Sequence, residues 1–166
     1  MPSGDFPGPY PVGLRSHWWK GCLGGVCANI LRAFGQGHAT LRSYLLWVPW
    51  AEIALPSVVV AEVLRGRCEF ALKATPAEAP VAHQRLLDTQ QMLAQFHIVV
   101  FDVACATVME RLRRQHRRRK RYADLMIAAI VIAGQHILVT RNHADFVDVL
   151  PPAQLANWID DPPDAA

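Results

Sequence analysis

The sequence predicts an α/β domain with a mostly parallel sheet. Three observations carry this. Short apolar runs rich in β-branched residues, such as His97-Ile-Val-Val-Phe101 and His136-Ile-Leu-Val-Thr140, alternate with stretches of helical apolar spacing. Helix punctuation sits between them: Asp102 is a capping residue before a helix, and Gly134 stands after one. The chain has 166 residues, 52% hydrophobic and 19% charged, which suits one domain with one sizeable core and excludes disorder throughout.

In chain order, residues 1–22 form a Pro- and Gly-rich leader, with four prolines and three glycines between Met1 and Gly13. The domain is expected over residues 23–160, and 161–166 form a tail. Leu23-Gly-Gly-Val-Cys27 is a Gly-diluted strand. Ile30–Phe34 and Thr40–Trp47 read as helical pieces around the Gly35-Gln-Gly37 turn. Glu52–Leu55 is a short strand. A helix follows from Pro56-Ser57 to about Arg65, with Ser57 as its N-cap. Residues 74–80 form a loop holding Pro76 and Pro80, and Ala82–Phe96 is helical. His97–Phe101 reads as a buried strand, and the helix capped by Asp102 runs to about Arg119. A third strong helix spans Ala123–Ala133, the strand His136–Thr140 follows it, and Leu155–Ile159 adds a last short strand.

Composition narrows the function. The net charge is only +3, but six Arg and one Lys fall between Arg113 and Arg121. Such a block attracts phosphate, or it is a solvated helix end whose cations offset the helix dipole. Cys22, Cys27, Cys68 and Cys105 form no CxxC pair and no zinc spacing, and read as free thiols in a reducing compartment. There is no membrane-length apolar run and no signal peptide, so a cytoplasmic protein is expected. No GxxxxGK[ST], GxGxxG or GxSxG pattern occurs, which removes nucleotide-binding and esterase readings.

Three acids stand out. Glu62 is the one acid in the apolar stretch Val58–Leu64, Asp124 opens the apolar helix, and Asp145 lies three residues after Asn142, past the strand ending at Thr140. Taken singly, each has a plain account: an outward helix residue, a first-turn acid favoured by the dipole, a loop residue or cap. Gathered at one sheet edge, they would repel each other unless a cation joined them. Oxygen-only sets of this kind suit Mg²⁺ or Mn²⁺, and such a metal readies a water for attack on a phosphodiester.

The order Ser57-Val-Val-Val-Ala-Glu62, then Phe101-Asp102, then Ala123-Asp-Leu-Met-Ile-Ala-Ala129, then Leu138-Val-Thr-Arg-Asn-His-Ala-Asp-Phe146 resembles the PIN-domain family, and within it the VapC-type toxins of toxin–antitoxin pairs. The resemblance covers about residues 26–160. It implies a three-layer α/β/α fold around a mostly parallel central sheet, and metal-dependent endonucleolytic cleavage of RNA. Glu62, Asp124 and Asp145 match the family's acids and would hold Mg²⁺ or Mn²⁺, with Asn142 assisting as a catalytic residue. Ser57 and Thr140 match small hydroxyl positions near the site, or are simply a helix cap and a strand end. The partners implied are an RNA substrate, a cognate antitoxin and a second copy in a homodimer.

The sequence departs from the family at its start. The family opens with a strand followed by Asp-Thr-Asn; here Val26-Cys-Ala-Asn-Ile-Leu31 puts Cys27 where the first Asp belongs. A neutral thiol is a poor Mg²⁺ ligand. The alternative is therefore a catalytically impaired PIN fold that only binds antitoxin or RNA. A DNA nuclease is a third reading, since the metal chemistry does not distinguish the sugar.

Overall fold

The structure is a computed structural model that describes residues 24–26, 37–116 and 121–161. Five short strands form one sheet: β1 (Gly24–Val26), β2 (Ile53–Pro56), β3 (His97–Val99), β4 (Ile137–Val139) and β5 (Leu155–Ala156). Every pairing is parallel, and the order is β3-β2-β1-β4-β5. The chain steps outward from β1 through β2 to β3, then crosses back to place β4 and β5 on the other side. That reversal makes β1 the switch point of a doubly wound sheet, and the crevice beyond its carboxyl edge is where sites form in such folds.

Between the strands run α1 (Ala39–Trp47), α2 (Ser57–Lys73), α3 (Ala79–Leu93), α4 (Val103–Gln115) and α5 (Tyr122–Ala133). Short 3₁₀ turns cover Trp50–Glu52, His143–Asp145 and Pro152–Gln154. This is the three-layer α/β/α architecture the sequence implied. Its centre is built from β2, where Ile53, Ala54 and Leu55 are buried, from Leu138 and Val139 of β4, and from the run Ile127–Val131 of α5. Burying a side chain such as Leu55 or Ile130 contributes about 1.5–3 kcal/mol.

β1 is weak in composition, with two of its three residues glycine. It holds because it is central: Gly24 is in register with Ile53 on one side and Ile137 on the other, so ladders on both flanks fix its backbone. β3 departs from expectation. It is a half-exposed edge strand, with His97 exposed and Ile98 and Val99 half-buried, and it pairs with β2 alone.

α2 is longer than its apolar pattern suggests, reaching Lys73 rather than Arg65. Arg65 and Lys73 both pair with Glu69, at 3.9 Å each, and carry the helix past Gly66. Ser57 is not its N-cap. Pro56 holds that position without a side-chain bond, and Ser57 is already helical. Its Oγ instead accepts from the backbone N–H of Phe101 at 3.3 Å, tying the segment after β3 to the start of α2. Pro80 lies inside the first turn of α3 rather than in a loop, a position that needs no N–H. α4 ends at Gln115, short of Arg119, with His116 as its C-cap. Asp102 caps α4 as expected: its carboxylate accepts from the N–H of Cys105 at 2.9 Å, and this bond holds its carboxyl below the usual range.

Gly134 ends α5, but the left-handed residue is the next one, Gln135, at φ 53°. Gly134 serves through its lack of a side chain. A Cβ there would lie 2.1 Å from Nε2 of His136, whose ring is pressed against the turn. Gln154 closes this end of the sheet, donating to the carbonyls of Val131 at 3.3 Å and His136 at 3.0 Å.

Candidate functional site

Topology alone places the acids. α2 starts directly after β2, so its first turn stands at the carboxyl edge of the sheet. α5 ends three residues before His136, at the opposite edge. Its twelve residues span about 18 Å, which returns its first turn, and Asp124, to the carboxyl edge. The 3₁₀ turn His143–Asp145 follows β4 at that same edge. α2 and α5 pack against each other.

The four candidates differ in setting. Glu62 is exposed on α2 and makes no hydrogen bond or ion pair with a described residue, whereas Glu69 on the same helix is doubly paired. Asp124 is half-buried in the first turn of α5, where the positive end of the helix dipole favours a carboxylate. Asp145 is half-buried, and Oδ2 accepts a hydrogen bond from Nδ2 of exposed Asn142. Asn142 and Asp145 are thus joined directly.

The two hydroxyl positions have structural partners. Thr140 is 1% exposed, and its Oγ1 accepts from the N–H of Asn142 at 3.1 Å, setting the turn out of β4. Ser57 fixes the start of the helix that carries Glu62. His143, one residue past Asn142, is half-buried, and its Nε2 is buried without a hydrogen-bond partner among the described residues. Cys27 and Ile30–Phe34 lie outside the described residues, as do the basic residues 117–120.

The described part of the basic block touches the segments that carry two of the acids. Nδ1 of His116 is 3.9 Å from Oδ2 of Asp148, three residues past Asp145, which brings the end of α4 to the loop after β4. The guanidinium of Arg113 lies 5.9 Å from the ring centroid of Tyr122, two residues before Asp124. Arg113 and Arg114 also pair with Glu110, at 4.0 and 3.8 Å.

The donor set fits a hard divalent cation, because Glu62, Asp124 and Asp145 offer carboxylate oxygen for coordination. Among the described residues, no group of three or more His, Cys, Asp or Glu side chains is close enough to grip an ion on its own. Mg²⁺ does not require one, since it is commonly held by one or two carboxylates and keeps several waters.

Over residues 28–149 the sequence matches the PIN-domain family. The chain belongs to that family. The match starts just past Cys27, so β1 falls outside it. PIN domains are generally nucleases. Solved structures agree on the fold. This PIN domain is similar to a chain of VapBC2 from Rickettsia felis bound to a DNA fragment from their promoter, at 26% identity and a TM-score of 0.60, covering 80% of this chain and 96% of that one. It is similar to a chain of a toxin–antitoxin complex from Klebsiella pneumoniae at 20% identity and a TM-score of 0.60, covering 81% and 97%. A DNA-bound VapBC from Salmonella typhimurium gives 16% identity and a TM-score of 0.64, covering 81% and 98%. No curated protein sequence matches the chain.

Sequence reasoning passed over two features of this edge. Arg141 stands inside the quoted motif, yet its partner Asp160 is nineteen residues away, with no local pattern to link them. The His116–Asp148 pair is equally invisible, because His116 reads as one more member of a basic run.

Proposed function

We propose that this PIN domain is a metal-dependent endoribonuclease toxin of a toxin–antitoxin pair, hydrolysing RNA phosphodiester bonds. The observation that carries the reading is the Asn142–Asp145 pair at the carboxyl edge, the edge from which the helices bearing Glu62 and Asp124 also start. In this reading Glu62, Asp124 and Asp145 hold Mg²⁺ or Mn²⁺, which when bound supplies an activated water and offsets the charge that develops on the phosphate.

The chain's own residues do the rest. Asn142 keeps the Asp145 carboxylate in one orientation. Thr140 and Ser57 fix the segments that bear the acids. Arg113 and Arg114, beside the acids at the end of α4, attract the phosphate backbone of a single-stranded or looped RNA. The likeness to chains of toxin–antitoxin complexes supports an antitoxin partner; a homodimer is the assembly this reading proposes. No described helix is long and apolar enough to cross a membrane.

The test is cleavage of a mixed RNA pool with Mg²⁺ or Mn²⁺ by the natural chain, Cys27→Asp and Asp124→Asn. Cleavage by the natural chain that Asp124→Asn abolishes supports the reading with Cys27 in place. Cleavage by Cys27→Asp alone assigns a disabled toxin. Cutting of DNA but not RNA, or of neither, overturns it.

A further inference from the structure

The loop that carries Asn142 and Asp145 has a cation at its root which no motif assigns. Arg141 follows Thr140, and its side chain is 61% exposed. Its Nε donates to Oδ2 of Asp160 at 3.0 Å, and Nδ2 of Asn157 donates to the same oxygen at 2.9 Å. Oδ1 of Asn157 accepts from the N–H of Ile159 at 3.1 Å and of Asp160 at 3.2 Å, so the turn that presents Asp160 is closed upon itself. The bonds from Asn157 and Arg141 hold the Asp160 carboxyl below its usual range, and His38 ahead of α1 adds to this.

The turn is anchored. Trp158 and Ile159 are buried, and the Trp158 ring stacks on Tyr44 of α1 with centroids 5.1 Å apart and planes 8° from parallel. On the other side, the N–H of Thr140 donates to the carbonyl of Ala156 at 2.9 Å, which fixes the backbone just before Arg141. The guanidinium is therefore held at a set place through one nitrogen. Nη1 and Nη2 make no hydrogen bond to a described residue. A clamp built for stability would engage the planar fork at two points. An exposed one-point pair adds little to stability, and a carboxylate at Nε leaves the two terminal nitrogens arranged to take a phosphate bidentately.

We infer that Arg141, aimed by Asp160, binds a backbone phosphate of the substrate strand beside the bond that is cut. This rests on the reading that an RNA strand enters at this edge. Arg141 is then a substrate-binding residue and Asp160 a positioning residue. The two follow β4 and β5, the strands at the end of the sheet away from β3.

The experiment is the salt dependence of binding of a fluorescent single-stranded RNA pool, measured on the full chain carrying Asp124→Asn so that nothing is cut. Loss of one phosphate contact lowers the slope of log K against log salt by about 0.7. Arg141→Ala is expected to show that drop, and Lys73→Ala, the same change of charge at the far end of α2, is expected to show none. Asp160→Asn keeps the slope and weakens binding, because the cation remains but is no longer aimed. Arg141→Lys also keeps the slope and binds more weakly, for want of the fork. Thermal melting reports whether each variant is folded; if Arg141→Ala is not, Arg141→Gln carries the same test. An unchanged slope in Arg141→Ala, or an equal drop in Lys73→Ala, overturns the inference and leaves the nuclease reading standing. A parent that binds no RNA removes both.

Discussion

Asn142 donates its side-chain amide to Asp145, three residues along the same turn. Asn142 is itself fixed by the Thr140 hydroxyl, which accepts its backbone N–H from a fully buried position at the end of β4. The carboxylate is thus oriented by a chain of two bonds that starts in the core.

That relationship sets a graded expectation for activity. Asp145→Asn and Asp124→Asn remove ligands and should abolish RNA cleavage. Asn142→Ala removes only the orienting bond, and losses at such supporting positions run about 10- to 100-fold in metal affinity or activity. Cleavage rates against Mg²⁺ concentration separate the two, since Asn142→Ala should regain rate as the metal is raised. A rate for Asn142→Ala equal to that of the natural chain would sink the role.

Gly134 is a packing requirement. Because a Cβ there meets the His136 ring at 2.1 Å, Gly134→Ala must push a buried imidazole aside. Overpacking of this kind costs about 1–3 kcal/mol. In Gly134→Ala the midpoint of urea unfolding should fall with the slope unchanged. A stabilised Gly134→Ala would show that the ring moves away freely.

His136 gives the fold an acid limit. It is 6% exposed, and Nδ1 has no hydrogen-bond partner among the described residues. Burial, and then the nearby His97, lower its proton affinity. An unfolded histidine takes up its proton at about pH 6.5. Below that value the unfolded chain binds more protons than the folded one, so the contribution of His136 is complete above about pH 6.5 and is lost as pH falls. Tm measured from pH 8 to 5 should decline at the acid end for the natural chain and less for His136→Leu. Parallel curves would remove His136 as the cause.

Trp158 joins the last turn to α1 through Tyr44, and it is 3% exposed. Trp158→Ala should cost about 3–5 kcal/mol, a fall in Tm on the order of 10 °C. Differential scanning calorimetry checks this, and a shift of a degree or two would mean the turn is not part of the cooperative unit.

Much of this was written in the sequence. Alternating β-branched runs and helical spacing announced the parallel sheet, and the segments that carry Asp124 and the Asn142–Asp145 pair reach the edge where such sheets gather function. What escaped was non-local. A run like His97-Ile-Val-Val reads the same in the middle of a sheet as at its rim, because what differs is the number of neighbours. Ser57 looks like a cap because Pro56-Ser57 is a cap signature, yet its hydroxyl answers a backbone N–H forty-four residues on. Arg65, Gly66 and Arg67 look like the end of a helix until Glu69 and Lys73 continue it. The Arg141–Asp160 pair had no local sign at all, as it depends on a turn brought home by Trp158.

The short β5 has a consequence for anyone who expresses this protein. The family match stops at residue 149, and a chain cut there would look complete by homology. It would lose β5, and with it one of the two partners of β4, leaving Leu138 and Val139 on a bare rim. An uncovered apolar strand with unpaired N–H and C=O groups is a template for pairing with another molecule. A product trimmed to the family boundary should therefore go into inclusion bodies, while one ending after residue 161 should stay in solution.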